Sequence, residues 1–133
     1  MRNPQIHKFL NISKSKFKGL SDTIYKGLNW KDLIVKSQNF DILLSGTIPP
    51  NPNELLASKK FEQLINEAKK TYDFVVVDSA PCLLVSDTFE ISKYVGMSLY
   101  IIRSNFTPKD ILSYINELKE NKNLKKLNLV LNS

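Results

Sequence analysis

Hydrophobic residues fall into short runs along the chain, and one unbroken run covers residues 74–77. An unbroken apolar run of this length is typical of a strand that is buried on both faces, as in a parallel sheet. Asp78 follows the run directly, and small residues and a proline come next. Because ligands of open α/β sheets bind beyond the carboxyl ends of the strands, we expect Asp78 at the rim of any site. An aspartate that only caps a turn would give the same pattern, so both interpretations stay open.

The other hydrophobic runs alternate between strand-like and helix-like spacing. Leu20, Ile24 and Leu28 have helical spacing that ends near Gly27, with Ser21 as the expected N-cap, and a helical turn is expected at residues 30–35. The patterns also predict strands at residues 40–44, 97–102 and 127–131, and helices at residues 3–10, 51–72, 86–96 and 107–118. This alternation predicts one α/β domain over residues 1–133, with a mostly parallel sheet of about four strands and helices on both faces.

Composition narrows the class of protein. The chain has 133 residues, of which 42% are hydrophobic, enough for one buried core. Lys and Arg outnumber Asp and Glu by 19 to 13, which favours acidic partners. The lysines are spread and lack interleaved aromatic residues, so we expect no nucleic acid partner. One cysteine, no signal-peptide core and no long apolar run together predict a cytoplasmic chain.

Several catalytic motifs are absent from the sequence. It contains neither the phosphate-binding loop G-x-x-x-x-G-K-[ST] nor the dinucleotide fingerprint G-x-G-x-x-G. A Ser/His/Asp triad can be composed formally from Ser45 or Ser79 with His7 and Asp78, but nothing in their spacing supports it. With one histidine and one cysteine, a Cys/His metal cluster is excluded.

Two motifs together carry a family resemblance. Residues 49–56 read Pro-Pro-Asn-Pro-x-Glu-Leu-Leu, and about two dozen residues later a hydrophobic strand pattern ends in Asp-x-x-Pro at residues 78–81. Gly-Leu-Ser-Asp at residues 19–22 and Ser-Asp at residues 86–87 extend the similarity over nearly the whole chain. The combination closely resembles the bacterial tyrosine kinases (BY-kinases) of capsule, exopolysaccharide and lipopolysaccharide biosynthesis, which have a deviant P-loop NTPase-like, Rossmann-like fold.

The resemblance implies a set of site residues. In such a kinase, Mg²⁺ and ATP bind at the strand ends, and the protein autophosphorylates on tyrosine. By this resemblance, Asp78 is the candidate catalytic residue and magnesium ligand, and Ser79 and Pro81 belong to the same cofactor-binding segment. Asn132 corresponds to an asparagine near the adenine. Arg103 would face the site, although a structural ion pair is an equal alternative.

The departures from the family shape the functional prediction. The phosphate loop, the paired aspartates that would precede Met1, the Arg-containing assembly helix and the C-terminal tyrosine cluster are not in this sequence. We therefore expect the C-terminal part of a kinase domain that lacks the Walker A strand and loop, is inactive alone and binds no cofactor by itself. Expected partners are a membrane activator or chain-length regulator and a second copy of the chain, at the inner face of the membrane. The alternatives are a non-catalytic regulatory module of polysaccharide export and a partition-type ATPase relative, although the Pro-Pro-Asn-Pro segment argues against the latter.

Overall fold

The structure is a computed structural model that describes residues 18–80, 86–121 and 124–132. The chain divides into a first unit, Met1–Asp87, and a second unit, Thr88–Ser133. The predicted helix at residues 3–10 lies outside the described residues. The helices are α1 (Leu20–Lys26), α2 (Pro52–Leu56), α3 (Lys59–Thr71), α4 (Asp87–Ser92) and α5 (Ile111–Glu120), with a 3-10 helix at Trp30–Leu33. The strands are β1 (Ile34–Lys36), β2 (Asp41–Leu43), β3 (Ser98–Arg103) and β4 (Leu127–Asn132).

Helix α1 spans the predicted segment, but its N-cap differs from the prediction. Gly19 is the N-cap, and the side chain of Asp22 reaches back to accept a hydrogen bond from the Gly19 N–H at 3.0 Å. The prediction of Ser21 as the cap is wrong because the Asp22 carboxylate satisfies the first free N–H of the helix. Ser21 instead lies inside the helix and is buried. The helix ends at Gly27, as the spacing predicted.

Strands β1 and β2 form an antiparallel pair in which Ile34 lies opposite Leu43 and Lys36 opposite Asp41. The helical turn expected at residues 30–35 is only partly present, since the 3-10 helix stops at Leu33. The β-branched residues that follow favour an extended backbone, and β2 supplies the hydrogen-bonding partner. The first unit therefore contributes an antiparallel pair, where the hydrophobic pattern predicted strands of a mostly parallel sheet.

Two helices, α2 and α3, replace the single helix that was predicted over residues 51–72. Ser58 separates them, because its Oγ accepts from the Phe61 N–H at 3.2 Å and donates to the Leu55 carbonyl at 2.7 Å. Serine side chains compete in this way with the helical backbone and favour N-cap positions. Helix α3 buries one apolar stripe, formed by Phe61, Leu64, Ile65 and Ala68.

The core of the first unit is closed around Trp30. Its indole Nε1 donates to Glu67 Oε2 at 2.9 Å, and its ring lies 6.5 Å from the ring of Tyr72. The Tyr72 hydroxyl donates to Asp41 Oδ2 at 2.7 Å, which links the end of α3 to β2. The buried hydrophobic residues of this unit are Ile24, Trp30, Leu44, Leu55, Leu56, Phe61, Leu64, Ile65 and Ala68.

The apolar run at residues 74–77 does not form the predicted central strand. None of residues 74–80 belongs to a strand or pairs with one among the described residues. Phe74 and Val76 are 88% and 90% exposed, whereas a central strand would bury both. The prediction fails because a strand needs a ladder partner, and the described part of the chain places none beside this segment.

The second unit is a β3–α5–β4 segment with α4 before it. β3 and β4 are parallel and pair over six residues, from Ser98 opposite Leu127 to Arg103 opposite Asn132, which confirms both predicted strands. Ile115 and Leu118 of α5 are buried, three residues apart on one face of the helix. Leu99 and Ile101 point to the other face of the sheet and are 57% and 66% exposed. In the described segments, no helix is both long and apolar enough to cross a membrane.

Candidate functional site

The carboxyl end of the β3–β4 pair brings two predicted site residues together. Arg103 and Asn132 lie opposite each other as the last pair of the parallel register, and both are exposed. The Asn132 carbonyl accepts from the Ser104 N–H at 2.8 Å, which continues the ladder one residue beyond β3. In the described part of the chain, no carboxylate lies within ion-pair distance of Arg103. The structural ion pair considered for Arg103 is therefore not found there.

Arg103 is positioned by the turn that follows β3. Its guanidinium carbon lies 5.2 Å from the centre of the Phe106 ring, a cation–π contact. Its backbone N–H donates to Thr107 Oγ1 at 2.8 Å. Asn105 adopts a left-handed conformation with φ 58°, which asparagine tolerates better than most residues. These contacts hold the charged group at the strand end without neutralising it.

A cavity of about 150 Å³ opens at this strand end. Its polar lining includes Arg103, Thr107 and Lys109, and its apolar wall is formed by Leu112 and Leu131 together with other residues of the turn. Two cationic side chains and a hydroxyl at the carboxyl end of parallel strands suit a phosphate or another small anion. The cavity thus has the positive charge that a nucleotide would need. At about 150 Å³ it holds only part of a nucleotide's volume.

Asp78 and Ser79, the other described candidates, lie in the first unit. Asp78 is exposed, and within the described segments no hydrogen bond or ion pair involves it. Ser79 is also exposed, and its hydroxyl donates to the Ala80 carbonyl at 3.3 Å. Pro81 lies outside the described residues. The turn-capping alternative for Asp78 therefore has no supporting contact, and its carboxylate is accessible to a ligand.

A second polar centre, the Asp22 network, was not predicted from the sequence. We define it as Gly19, Ser21, Asp22, Lys26 and Thr47. The buried Asp22 carboxylate accepts from the Lys26 ammonium at 2.7 Å, from the Thr47 N–H at 3.2 Å and from the Thr47 hydroxyl at 3.1 Å, in addition to the Gly19 N–H. The Ser21 hydroxyl donates to the Thr47 carbonyl at 2.6 Å. The network ties the first turn of α1 to the loop after β2.

Electrostatics keep Asp22 ionised. Burial alone would raise its pKa, but the hydrogen bonds from Lys26, Thr47 and Gly19 outweigh that effect and lower the pKa to about 2. With four donors around it, the carboxylate has little acceptor capacity left for a substrate or a metal. We therefore assign the Asp22 network a structural role. Apart from Lys26, the sequence carries the members of this network in two separate segments, Gly-Leu-Ser-Asp at residues 19–22 and Ser-Gly-Thr at residues 45–47. No local feature of either segment predicts that the two are in contact.

Two glycines permit this close contact. A Cβ on Gly19 would lie 2.1 Å from the Leu44 carbonyl oxygen, so only glycine fits there. Gly46 has φ 78°, a left-handed conformation that side chains disfavour, and a Cβ there would also meet Asp22 and Ser21. The backbones of the two segments can therefore approach closely, and the Leu20 N–H donates to the Leu44 carbonyl at 2.8 Å.

Asp87 is a further polar residue whose environment the sequence did not reveal. It lies at the start of α4 and is only 3% exposed. Its Oδ1 has no hydrogen-bond partner in the described structure, and beside it Ser86 Oγ accepts from Asn53 Nδ2 at 3.0 Å. The described residues contain no group of three or more His, Cys, Asp or Glu side chains that could hold a metal ion.

Comparison with known proteins shows that the chain is similar to bacterial tyrosine kinases. The chain is 33% identical over 112 residues to the tyrosine-protein kinase YwqD of Bacillus subtilis, and this alignment covers 83% of the chain and 46% of YwqD. It is 36% identical over 114 residues to a Klebsiella pneumoniae protein named as a tyrosine-protein kinase in the cps region, covering 84% of the chain and 16% of that protein. The kinase domain of the Escherichia coli tyrosine kinase ETK superposes with a TM-score of 0.81 at 30% identity, covering 98% of this chain and 52% of that chain. The chain is homologous to part of the kinase domain of bacterial tyrosine kinases.

The relationship to bacterial tyrosine kinases confirms both the family resemblance and the α/β, P-loop NTPase-like fold class. The VpsO kinase domain gives a TM-score of 0.86 at 29% identity, with 98% of this chain and 65% of that chain covered. No protein-family model matches the chain. The chain spans less than half the length of the tyrosine kinases YwqD and the cps-region protein. It thus shares the fold of a bacterial tyrosine kinase domain over a part of that domain.

Proposed function

We propose that the chain is part of a capsule or exopolysaccharide protein-tyrosine kinase whose whole domain transfers the γ-phosphoryl group of ATP to tyrosine. The observation that carries the proposal is the pairing of Arg103 with Asn132 at the carboxyl end of β3 and β4, beside a cationic cavity. Homology to tyrosine-protein kinases supports the same reaction. Phosphoryl transfer depends mainly on positioning and on stabilising charge, which such strand ends can supply.

In this proposal each candidate residue has one role. Arg103 binds phosphate oxygens, and Asn132 lies near the adenine. Asp78 acts as a catalytic residue by holding Mg²⁺, and Ser79 and Pro81 shape the turn around it. Magnesium is commonly held through only one or two carboxylates, with water and substrate phosphates as the other ligands. The exposed, uncommitted carboxylate of Asp78 fits that requirement, and bound magnesium would neutralise developing charge on the phosphates.

We propose further that this chain alone has no kinase activity. The sequence lacks the G-x-x-x-x-G-K-[ST] loop, so the ATP phosphates would have neither the backbone cradle nor the lysine that normally bind them. The test is transfer of radiolabelled phosphate from ATP, with Mg²⁺, to the chain itself and to a tyrosine polymer. We expect no transfer above background. Transfer that disappears in Asp78→Asn but persists in Asp73→Asn, a matched exposed aspartate, would contradict the proposal.

Nucleotide affinity is a separate measurement. We expect Mg-ATP to bind with a Kd in the millimolar range or weaker, because the cavity at Arg103 is about 150 Å³ and offers few donors. Calorimetric titration of Mg-ATP and Mg-ADP measures this directly. Arg103→Gln should weaken any binding, whereas Lys59→Gln, the loss of an exposed lysine elsewhere, should not. Micromolar binding that is insensitive to Arg103→Gln would contradict the assigned site.

A second candidate function is a non-catalytic module that regulates polysaccharide export. The observation in its favour is the segment at residues 74–78, which pairs with no strand in the described part of the chain and whose Phe74 and Val76 side chains are almost fully exposed and available to a protein partner. The proposed partners are a membrane activator or chain-length regulator, a full-length kinase or a second copy of the chain. The proposed location is the cytoplasmic face of the membrane. Co-purification with the cytoplasmic tail of such a membrane protein, lost in Phe74→Ser, would favour this function.

A further inference from the structure

The turn that leads into β4 carries a cluster of lysines around a cavity. The cavity has a volume of about 360 Å³ and is lined by Lys119, Leu124, Lys125, Lys126 and Leu127, all in the second unit. Leu124 is 5% exposed and forms its apolar floor, whereas the three lysines are exposed at its rim. It opens at the amino end of β4, the opposite end of that strand from Asn132. The cavity is therefore distinct from the candidate nucleotide site.

The positive charge of the cluster is not neutralised by neighbouring acids. In the described part of the chain, none of the three ammonium groups lies within ion-pair distance of a carboxylate. Lys119 lies in the last turn of α5, where the carbonyls carry a partial negative charge that one lysine offsets. The Lys125 ammonium contacts the Lys93 carbonyl just after the end of α4, and the part of the chain that the structure describes gives the Lys126 ammonium no such contact. A net positive potential therefore remains over the apolar floor.

Four hydrogen bonds hold Lys125 and Lys126 in place at the start of β4. The Lys125 backbone N–H donates to Ser92 Oγ at 3.0 Å, and the Lys125 carbonyl accepts from the Ser98 N–H at 2.8 Å. The Lys125 ammonium donates to the Lys93 carbonyl at 3.0 Å, and the Lys126 carbonyl accepts from Asn128 Nδ2 at 2.7 Å. A rigid turn loses little conformational entropy on binding, which favours affinity.

Lys126 has an unusual backbone for its residue type. Its φ of 40° lies in the left-handed region, where asparagine and glycine are much better tolerated than lysine. Such strain costs on the order of 1 kcal/mol, and strained residues concentrate at functional sites. Lys126 therefore places a long cationic side chain at the cavity rim at a cost in backbone strain.

We propose that this cavity binds a phosphate ester, with the lysines contacting the phosphate and Leu124 and Leu127 contacting the organic part of the ligand. Two sources share this chemistry: a soluble phosphate ester and the headgroup of an anionic phospholipid. The probe for the first is phenyl phosphate, with phenol as the uncharged control. The probe for the second is a vesicle of phosphatidylcholine with phosphatidylglycerol, compared with phosphatidylcholine alone. The inference does not depend on the proposed kinase function.

The test follows the amide NMR signals of Leu124 and Leu127 in the full chain during titration without divalent cations. We expect saturable shifts with phenyl phosphate, or binding only to the anionic vesicles, and either result identifies the source of the ligand. Lys126→Asn should weaken the observed binding up to about fivefold. The same variant should not lower the unfolding temperature, because asparagine suits the left-handed backbone.

The matched control is Lys59→Asn, which removes an exposed lysine of the first unit and causes the same change in net charge. It should leave the affinity for either probe unchanged. The inference is overturned if neither probe binds, if phenol shifts the same amides as strongly, or if Lys59→Asn weakens binding as much as Lys126→Asn does. Equal losses would show that net charge alone attracts the anion.

Discussion

Replacing Asp22 with asparagine tests the Asp22 network and should be strongly destabilising. The native carboxylate accepts four hydrogen bonds, from the Gly19 N–H, from the Thr47 N–H and hydroxyl, and from the Lys26 ammonium. An amide presents one NH₂ group to these donors and carries no charge, so two of the four donors lose their acceptor. Each such loss costs on the order of 1 to 3 kcal/mol, and we expect the free energy of unfolding to fall by about 3 kcal/mol.

The pKa of Asp22 gives an independent measure of how much its ionised carboxylate contributes to the free energy of unfolding. Lowering the pKa from 3.8 to about 2 corresponds to roughly 2 kcal/mol of stability at neutral pH. Because the folded-state pKa is the lower one, this contribution is complete above about pH 4 and is lost as the pH falls through about 2. The wild-type chain should therefore lose this stability between those pH values. The Asp22→Asn variant has no carboxylate to protonate at this position, so its stability should fall less over the same pH range.

Urea unfolding followed by Trp30 fluorescence, at neutral pH and at several acidic values, measures both effects. The control is Asp32→Asn, an exposed aspartate whose side chain takes part in no described interaction, and it should change stability by less than about 0.5 kcal/mol. Asp22→Asn should also lower the unfolding temperature by roughly 10 °C. The reasoning is refuted if Asp22→Asn and Asp32→Asn unfold at the same urea concentration, or if the gap between wild type and Asp22→Asn stays constant down to the lowest pH.

Three further predictions concern other parts of the first unit and one control position. Gly19→Ala should cost about 2 kcal/mol or more in urea unfolding because its Cβ would meet a carbonyl oxygen at 2.1 Å, whereas Gly96→Ala, with nothing within 4 Å, should not be destabilising. Phe74→Ser should reduce self-association in sedimentation experiments without lowering the unfolding temperature, because this side chain is 88% exposed. The hydrogen bond to Asp41 raises the pKa of Tyr72, so Asp41→Asn should shift the ionisation of Tyr72 to lower pH in an ultraviolet titration. An unchanged titration curve in that variant would contradict the assignment.

Local patterns predicted the second unit well because its elements are defined by nearby residues. A few neighbouring residues are enough to predict each element. This holds for the apolar runs of β3 and β4 and for the helical spacing of Ile115 and Leu118 in α5. The register that places Arg103 opposite Asn132 then follows from two parallel strands of similar length. The structure thus places these two candidate residues at the same end of the strand pair.

Long-range pairings in the first unit were not predictable in the same way. Asp22 and Thr47 are 25 residues apart, and the presence of one residue type does not predict contact with the other. The run at residues 74–77 has a strand-like composition, but strand formation depends on a neighbour that composition cannot supply. Ser58 divides a continuous helical pattern because its side chain hydrogen-bonds to the backbone. Hydrophobic periodicity does not predict such a side-chain hydrogen bond.

The unpaired segment after α3 also determines how this region behaves in hydrogen exchange. No residue from 74 to 78 takes part in a described hydrogen bond, so its amides have no protection from a ladder. They should exchange at rates close to those of an unstructured peptide, while the amides of the β3–β4 ladder exchange far more slowly. Any polypeptide that docks as a neighbouring strand would slow exchange at alternate residues of the segment, since successive amides of a strand point to opposite sides. The pattern of slowed amides would report which edge of the segment the new strand occupies.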